Sequence, residues 1–81
     1  MRVRLLAFAT ASDALGASEC EFELPSPGTV ADLRSLLAER FPALAPLGRG
    51  LAIAVDGDLA RDDFPLRDGV EVALLPPVSG G

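Results

Sequence analysis

The chain has 81 residues, of which 49% are apolar and 23% charged, and its formal net charge at pH 7 is −5. This is the composition of one small globular domain, since disordered chains are less apolar and larger chains divide into several domains. Neutralising phosphates needs clustered basic residues, so an acidic chain of this kind is not expected to bind nucleic acid or an anionic membrane. No stretch approaches the roughly 20 apolar residues of a membrane span, and a single cysteine excludes an internal disulfide. We therefore expect a soluble, cytoplasmic protein.

The sequence contains no histidine and no lysine. Without histidine, the chain cannot form a Ser-His-Asp triad or the common zinc sites. Without lysine, it cannot use Schiff-base chemistry or a phosphate-loop lysine. The chain is therefore poorly equipped to be an enzyme by itself, and its net charge favours a basic protein as partner.

Two strands are predicted in the first 24 residues. Residues 2–8 and 18–24 both alternate, so that every second side chain is apolar and falls on one face. The small residues 9–17 between them predict a turn. Cys20 lies on the apolar face of the second strand, which favours a buried core thiol over a reactive one.

The middle of the chain predicts one amphipathic helix over residues 30–41, because apolar residues recur there at spacings of three and four. Thr29 can cap its first turn, with Asp32 as the acid of a weak capping box. Pro42 ends the helix, since the residue before a proline is disfavoured in the helical region. Residues 43–50, with one proline and two glycines, predict a loop.

The last third of the chain predicts two or three strands. Residues 51–55 form a short strand, followed by a turn at Asp56–Gly57 and a brief return strand that begins at Leu59. Residues 65–69 predict another turn, and residues 70–75 predict the last strand. One helix can cover one apolar face of a mixed sheet of four to five strands. The simplest such α+β arrangement is a β-grasp domain, in which the first and last strands lie parallel in the middle of the sheet.

After the predicted domain of residues 1–75, the chain leaves as a flexible tail, residues 76–81, with the sequence Pro-Pro-Val-Ser-Gly-Gly. Two prolines stiffen the exit, and six residues at about 3.3 Å each reach roughly 20 Å. The simplest explanation of the two glycines is a frayed end. The functional interpretation is that a separate ATP-using enzyme activates the carboxylate of Gly81 as an acyl adenylate. Glycines suit the narrow channel of such an enzyme because they permit close backbone approach.

The ending Leu-Leu-Pro-Pro-Val-Ser-Gly-Gly of residues 74–81 resembles that of the MoaD group, the small subunits of molybdopterin synthase. These β-grasp sulfur carriers are related to ubiquitin. Further matches include Phe8–Ala9, Thr29–Val30 and Asp68–Gly69, and the resemblance covers the whole chain. It implies a ubiquitin-like β-grasp fold.

The resemblance also implies the chemistry. An activating enzyme similar to the ubiquitin-activating enzymes would use ATP to adenylate Gly81, and sulfur would replace one oxygen to give a thiocarboxylate. The tail would then insert into a separate large subunit, which holds the catalytic groups, and would donate sulfur to the pterin precursor of the molybdenum cofactor. Such synthases are typically heterotetramers. No metal or cofactor is expected to bind to this chain itself.

An apolar patch is predicted at the root of the tail. Leu6 and Phe8 share one face of the first strand, and Ala73 and Leu75 share the equivalent face of the last. Single exposed apolar side chains are common, but a group beside a reactive tail favours a docking surface. The chemical site is therefore predicted at Gly80 and Gly81. The predicted partner-binding residues are Leu6, Phe8, Leu59, Ala73, Leu75, Pro76, Pro77, Val78 and Ser79.

Three other functions stay open at this point. The chain is also compatible with a sulfur carrier for thiamine, cysteine or tRNA thiolation, with a ubiquitin-like modifier attached to lysines, and with a pure interaction domain. A metal site is the least favoured interpretation. The acidic residues of segment 56–63 lack the spacing of a calcium loop and are interpreted as a solvated surface.

Overall fold

The first and last strands lie side by side in one sheet. The computed structural model describes residues 1–77, apart from the side chain of Arg49. Within that range the strands and α-helices follow in the order β1 (Arg2–Ala7), α1 (Thr10–Leu15), β2 (Glu19–Glu23), β3 (Gly28–Thr29), α2 (Val30–Arg40), β4 (Ala52–Val55), β5 (Asp58–Leu59), β6 (Pro65–Leu66) and β7 (Glu71–Leu75). The main sheet has the strand order β2-β1-β7-β4-β5, and β3 pairs with β6 in a separate two-stranded sheet.

The central pair β1–β7 is parallel, whereas the other strand pairs are antiparallel. A mixed five-stranded sheet combined with one main helix is the ubiquitin-like β-grasp architecture of the α+β class, so the predicted fold is confirmed. The parallel pair joins distant parts of the sequence, since Leu5 lies opposite Val72.

The core lies between one face of the sheet and α2. Every second residue of β1 is buried, because successive side chains of a strand point to opposite faces. The predicted stripe of α2 meets this face through Val30, Leu33 and Leu37. Full burial of one such side chain stabilises the fold by about 1.5–3 kcal/mol. The strand residues of the core are Val3, Leu5, Ala7, Phe22, Ile53, Val55, Leu66, Val72 and Leu74. None of the helices within residues 1–77 combines the length and the hydropathy that crossing a bilayer requires.

Helix α2 begins with the predicted capping box. The Thr29 hydroxyl accepts a hydrogen bond from the Asp32 N–H at 3.3 Å, and the Asp32 carboxylate accepts one from the Thr29 N–H at 2.9 Å. The N–H of Val30 donates to the carbonyl of Phe64 at 3.0 Å. These bonds satisfy donors that the first turn of a helix otherwise leaves without intrahelical partners.

The segment between β1 and β2 is helical, so the prediction of a turn over residues 9–17 is wrong. The chain forms α1 there and then reverses at Gly16. Gly16 has φ 79°, in the left-handed region that favours glycine, and its N–H donates to the Ser12 carbonyl at 2.9 Å. Helix α1 has six residues and buries only Ala11, which leaves no period in hydrophobicity for the sequence to display.

For a similar reason one further local prediction is wrong and another is confirmed only in part, since the turn predicted over residues 65–69 forms at residues 68–69. Residues 43–50 do not form an irregular loop but lie within 3₁₀ turns that run over Pro42–Gly50. The predicted turn over residues 65–69 begins with β6, which places Leu66 opposite Gly28. Elements this short depend on the contacts around them more than on their own sequence.

The predicted turn at Asp56–Gly57 is confirmed. Its two residues have φ values of 51° and 89°, and two-residue hairpins of type I′ need positive φ at both positions. The N–H of Asp56 donates to the Glu71 carbonyl at 2.9 Å. The turn brings β5 back beside β4 and places Leu59 opposite Ala54.

The edge strand β2 carries a row of glutamates on its exposed face. Arg2 donates to Glu23 at 2.7 Å, and Arg4 donates to Glu19 at 2.6 Å. The hydrogen bond from Arg2 holds the pKa of the Glu23 carboxyl below its usual value of 4.5. These pairs are exposed, so each contributes little to stability.

Substituting Thr29→Ala should lower the free energy of unfolding by about 1 kcal/mol, because it removes the hydroxyl that caps α2. Denaturant unfolding measures this change. Thr10→Ala, at the exposed start of α1, is the control of the same chemistry. Equal losses for the two variants would contradict the capping account.

Substituting Glu23→Gln should reduce stability at neutral pH and leave it unchanged in strong acid. The folded pKa of Glu23 is lowered, so its stabilisation is present above the usual carboxyl pKa and is lost as the pH falls through the folded value. Thermal unfolding from neutral pH to about pH 2 follows the difference. Glu39→Gln removes a carboxylate from the exposed side of α2 without touching Arg2. A Glu23 effect that persists at the acid end would contradict the account.

Candidate functional site

The face of the sheet that points away from α2 carries a continuous apolar row. Leu6 in β1 lies opposite Ala73 in β7, Ala73 lies opposite Ala54 in β4, and Ala54 lies opposite Leu59 in β5. Leu59 is 75% exposed, more than any other large apolar side chain that the structure describes. We call these four residues the apolar sheet face. Parallel pairing of β1 and β7 is what brings its first two members together.

A groove of about 520 Å³ adjoins this face where β7 ends. Its walls come from the end of β1, from the 3₁₀ turns and from the exit of the chain. Phe8 is 50% exposed here, whereas Pro76 and Leu75 are half-buried. We call this the tail-root groove, and it is lined by Phe8, Ala9, Thr10, Leu47, Leu75, Pro76 and Pro77.

The backbone that positions Phe8 is strained at the next residue. Ala9 has φ 50° and ψ −127°, a conformation that residues with a side chain rarely adopt and that costs on the order of 1–3 kcal/mol. It turns the chain from β1 into α1, and the Phe8 carbonyl accepts the N–H of Ala11 at 3.0 Å. The strain is therefore located in the wall of the tail-root groove.

One acidic side chain lies at the β1 end of the apolar sheet face. Glu19 lies opposite Leu6 across the β1–β2 pair and accepts a hydrogen bond from Arg4 at 2.6 Å. Asp58 lies opposite the buried Val55 and therefore points to the other face of the sheet.

The acidic segment after β4 is engaged with arginines. Arg67 donates to the Asp56 carboxylate at 3.0 Å, and Arg34 donates to Asp62 at 3.3 Å. Among residues 1–77, no group of three or more potential ligand side chains has an arrangement that could hold a metal ion.

Cys20 is half-buried and packs against the core, so the prediction that its thiol is buried is confirmed only in part. Burial raises the pKa of this thiol, which disfavours the reactive thiolate.

The predicted site residues divide into two groups. The structure brings Leu6, Phe8, Leu59, Ala73, Leu75, Pro76 and Pro77 together around the apolar sheet face and the tail-root groove. The other four, Val78, Ser79, Gly80 and Gly81, lie outside the described residues. The roles of both groups in binding or chemistry stay predictions.

Sequence reasoning missed three residues near the exit of the chain. Leu47 lines the tail-root groove but sits in a segment predicted as loop. Gly50 lies under the ring of Pro77, and Arg34 bonds to the backbone on either side of Gly50. Arg34 had a usable signal, since it follows Val30 by four residues and so falls on the margin of the apolar stripe. The other two carried no comparable signal.

Comparison with known proteins identifies the family. The profile of the ThiS family matches residues 5–81. The chain belongs to the ThiS family. Among individual relatives, the molybdopterin synthase sulfur carrier subunit of Caenorhabditis briggsae is 35% identical over 81 residues, covering 98% of this chain and 96% of that protein. The corresponding subunit of Escherichia coli is 38% identical over 81 residues, covering 98% of this chain and 99% of that protein.

Solved structures agree with this family assignment. A putative molybdopterin converting factor subunit 1 from Pyrococcus furiosus matches with a TM-score of 0.87 and 31% identity over 96% of this chain and 99% of that one. SAMP1 from Haloferax volcanii, a small archaeal modifier protein, matches with a TM-score of 0.86 and 25% identity over the whole of both chains. A complex of subunits 1 and 2 of the Helicobacter pylori molybdopterin-converting factor matches with a TM-score of 0.69 and 27% identity, again over the whole of both chains. The resemblance to the MoaD group of sulfur carriers is thereby confirmed.

Proposed function

We infer that this ThiS-family chain is the sulfur carrier subunit of a molybdopterin synthase. The observation that carries the inference is end-to-end similarity to relatives of that name, including 38% identity over 99% of the Escherichia coli subunit. The sequence adds the Pro-Pro-Val-Ser-Gly-Gly ending and a composition without histidine or lysine. A chain so poor in catalytic side chains is suited to carrying a reactive group that another protein uses.

The group carried is the terminal carboxylate of Gly81. An adenylating enzyme joins it to the AMP part of ATP with release of pyrophosphate, because a carboxylate is a poor electrophile until its oxygen becomes part of a leaving group. A sulfur nucleophile then displaces AMP, leaving a thiocarboxylate whose sulfur is nucleophilic. Transfer of that sulfur to the pterin precursor, with water supplying the replacing oxygen, regenerates the carboxylate. ATP is thus used by the activating enzyme, and this chain needs no cofactor of its own.

The large subunit of the synthase is the partner that receives the tail. The related Helicobacter pylori structure is a complex of subunits 1 and 2, and one of its chains shares this fold. We propose that the apolar sheet face and the tail-root groove form the docking surface of this chain, because β7 delivers the chain to Pro76 directly beside them. The net charge of −5 favours a basic surface on that partner. We place this assembly in the cytoplasm, where the single cysteine stays reduced.

A second candidate function has a specific observation in its favour. The match to SAMP1 from Haloferax volcanii covers the whole of both chains with a TM-score of 0.86. A modifier attaches its activated carboxyl group to a lysine amine of another protein instead of exchanging oxygen for sulfur. The same fold and the same terminal glycines serve both chemistries, so only the product of the tail distinguishes them.

Recovery of partners from the native host tests the proposed function. The chain is tagged at its N-terminus with Gly81 left free, and the proteins that co-purify are identified by mass spectrometry. We expect the large subunit of molybdopterin synthase and an adenylating enzyme. Deleting Gly80 and Gly81 should abolish thiocarboxylate formation, because the terminal carboxylate then belongs to Ser79, two residues short of the position at which Gly81 is activated. Recovery of thiazole synthase, or of lysine conjugates in place of the large subunit, would contradict the function.

Substituting Phe8→Asp should weaken binding to the large subunit about tenfold or more, because it puts a charge at the aromatic centre of the docking surface. Isothermal titration calorimetry measures the dissociation constant. Phe64→Asp is the matched control, since Phe64 is similarly exposed, at 43% against 50%, but lies beside the N-terminus of α2. Equal affinity of the Phe8 variant and the native chain would rule out this docking surface.

A further inference from the structure

Arg34 is a largely buried cation whose hydrogen bonds run to main-chain carbonyls. Its side chain is 21% exposed, and it extends from the middle of α2 toward the turn that precedes β4. One terminal nitrogen, Nη1, donates to the Gly48 carbonyl at 3.2 Å and to the Leu51 carbonyl at 2.5 Å. The Nε of the same guanidinium donates to Asp62 at 3.3 Å, which fixes the plane of the group. Such charge-assisted bonds are stronger than neutral ones.

The two carbonyls that Arg34 binds bracket Gly50 in the sequence. Gly48 has φ 48° and ψ −132°, which interrupts the 3₁₀ turns, and its carbonyl also accepts the N–H of Leu51 at 3.2 Å. Arg34 therefore holds both ends of a four-residue turn that has little regular structure of its own. The position of Gly50 depends on this clamp.

Gly50 lies beside the exit of the chain. A Cβ placed on Gly50 would lie 3.4 Å from Cγ and 3.7 Å from Cδ of Pro77, which is ordinary van der Waals contact, so the proline ring is the nearest neighbour of this glycine on that side. Pro77 is otherwise exposed. It follows the last strand by two residues and immediately precedes the four residues that end the chain. Because φ of proline is fixed near −65°, a displacement of Pro77 is transmitted to the direction in which those residues start.

We propose that Arg34 is a positioning residue for the C-terminal tail, acting through the turn 48–51 and the contact of Gly50 with Pro77. The inference rests on the proposed function, because it assigns to Arg34 a role in presenting the carboxylate of Gly81 to the adenylating enzyme. The adenylating enzyme is taken to use the same docking surface as the large subunit, and the clamp fixes the position of Pro77, from which the tail starts. Misplacing a reacting group by about 1 Å costs on the order of a hundredfold in rate, so the tail's starting direction matters.

The first arm of the test reads the contact itself and needs no partner. Nuclear Overhauser effects between the Gly50 Hα protons and the Pro77 ring are measured in the native chain and in Arg34→Gln. This variant keeps a polar side chain but loses the positive charge and the planar guanidinium donors. The contact should be lost in Arg34→Gln and partly restored in Arg34→Lys, which returns one charged donor. Arg61→Gln, at an exposed arginine outside the clamp, should keep it. Core contacts between Leu5 and Val72 verify that each variant is folded.

The second arm separates positioning from stability. Because this chain is the substrate of the adenylating enzyme, partial unfolding lowers the substrate concentration and raises the apparent KM. A misdirected tail on an intact docking surface instead lowers kcat. Pyrophosphate release at saturating ATP should show kcat about tenfold lower for Arg34→Gln with KM within about twofold of the native value. In Gly50→Val the added Cβ reaches van der Waals contact with Pro77 and its two methyl groups extend further, so this variant should displace Pro77 without changing Arg34 and should reproduce the loss of kcat.

The outcomes distinguish this inference from the proposed function. A retained Gly50–Pro77 contact in Arg34→Gln, or an unchanged kcat in both variants, would overturn the positioning role alone. A change in KM with an unchanged kcat would show that Arg34 only stabilises the fold, and it would also overturn the positioning role. A native chain that the adenylating enzyme does not use as a substrate would overturn the proposed function, while the first arm would still report whether Arg34 holds the turn.

Discussion

The parallel pairing of β1 with β7 determines the position of the apolar sheet face and of the point where the chain leaves the domain. It places Leu6 opposite Ala73 and lets β7 deliver the chain to Pro76 beside Phe8. Two segments separated by most of the sequence therefore share one surface, and the exit of the chain starts at that surface. Without this pair, the apolar side chains of the first strand would be an isolated patch far from the tail. Closing such a long loop costs conformational entropy, which is offset by the burial of apolar side chains between α2 and the sheet.

The chemistry of the chain is divided between a docking domain and a terminal carboxylate. The sequence offers no histidine or lysine, and burial raises the pKa of its one thiol, so the domain supplies little reactivity of its own. The domain supplies the apolar sheet face and the point from which the C-terminal tail starts. In the proposed function the apolar sheet face docks a partner, and in the further inference Arg34 orients the chain where it leaves the tail-root groove. This separation allows the same carrier to meet an activating enzyme and a synthase subunit in turn.

The sequence predicted the parts of the fold that have a long hydrophobic period or a specific turn chemistry. Strands β1, β2, β4 and β7, the capped helix α2 and the Asp56–Gly57 turn all have such signals, and the tail resembled a family through its own residues. The sequence did not predict α1, the 3₁₀ turns or the two-residue strands β3 and β6, because elements this short lack a period. For the same reason only part of the tail-root groove was predicted. The wall that contains Phe8 and Leu75 was expected, whereas Leu47 comes from the 3₁₀ turns and was not. The role of Gly50 depends on a tertiary contact that no local pattern contains.

The most direct test of the central claim is the mass of the tail after activation. The purified chain is incubated with its adenylating enzyme, ATP and a sulfur donor, and then with the large subunit and the pterin precursor, and intact mass is recorded at each stage. In the first stage the mass should rise by the difference between sulfur and oxygen, because one oxygen of Gly81 is exchanged for sulfur. In the second stage the native mass should return only when the large subunit and the precursor are both present. A mass that never changes, or a chain found joined to lysines of other proteins, would contradict it.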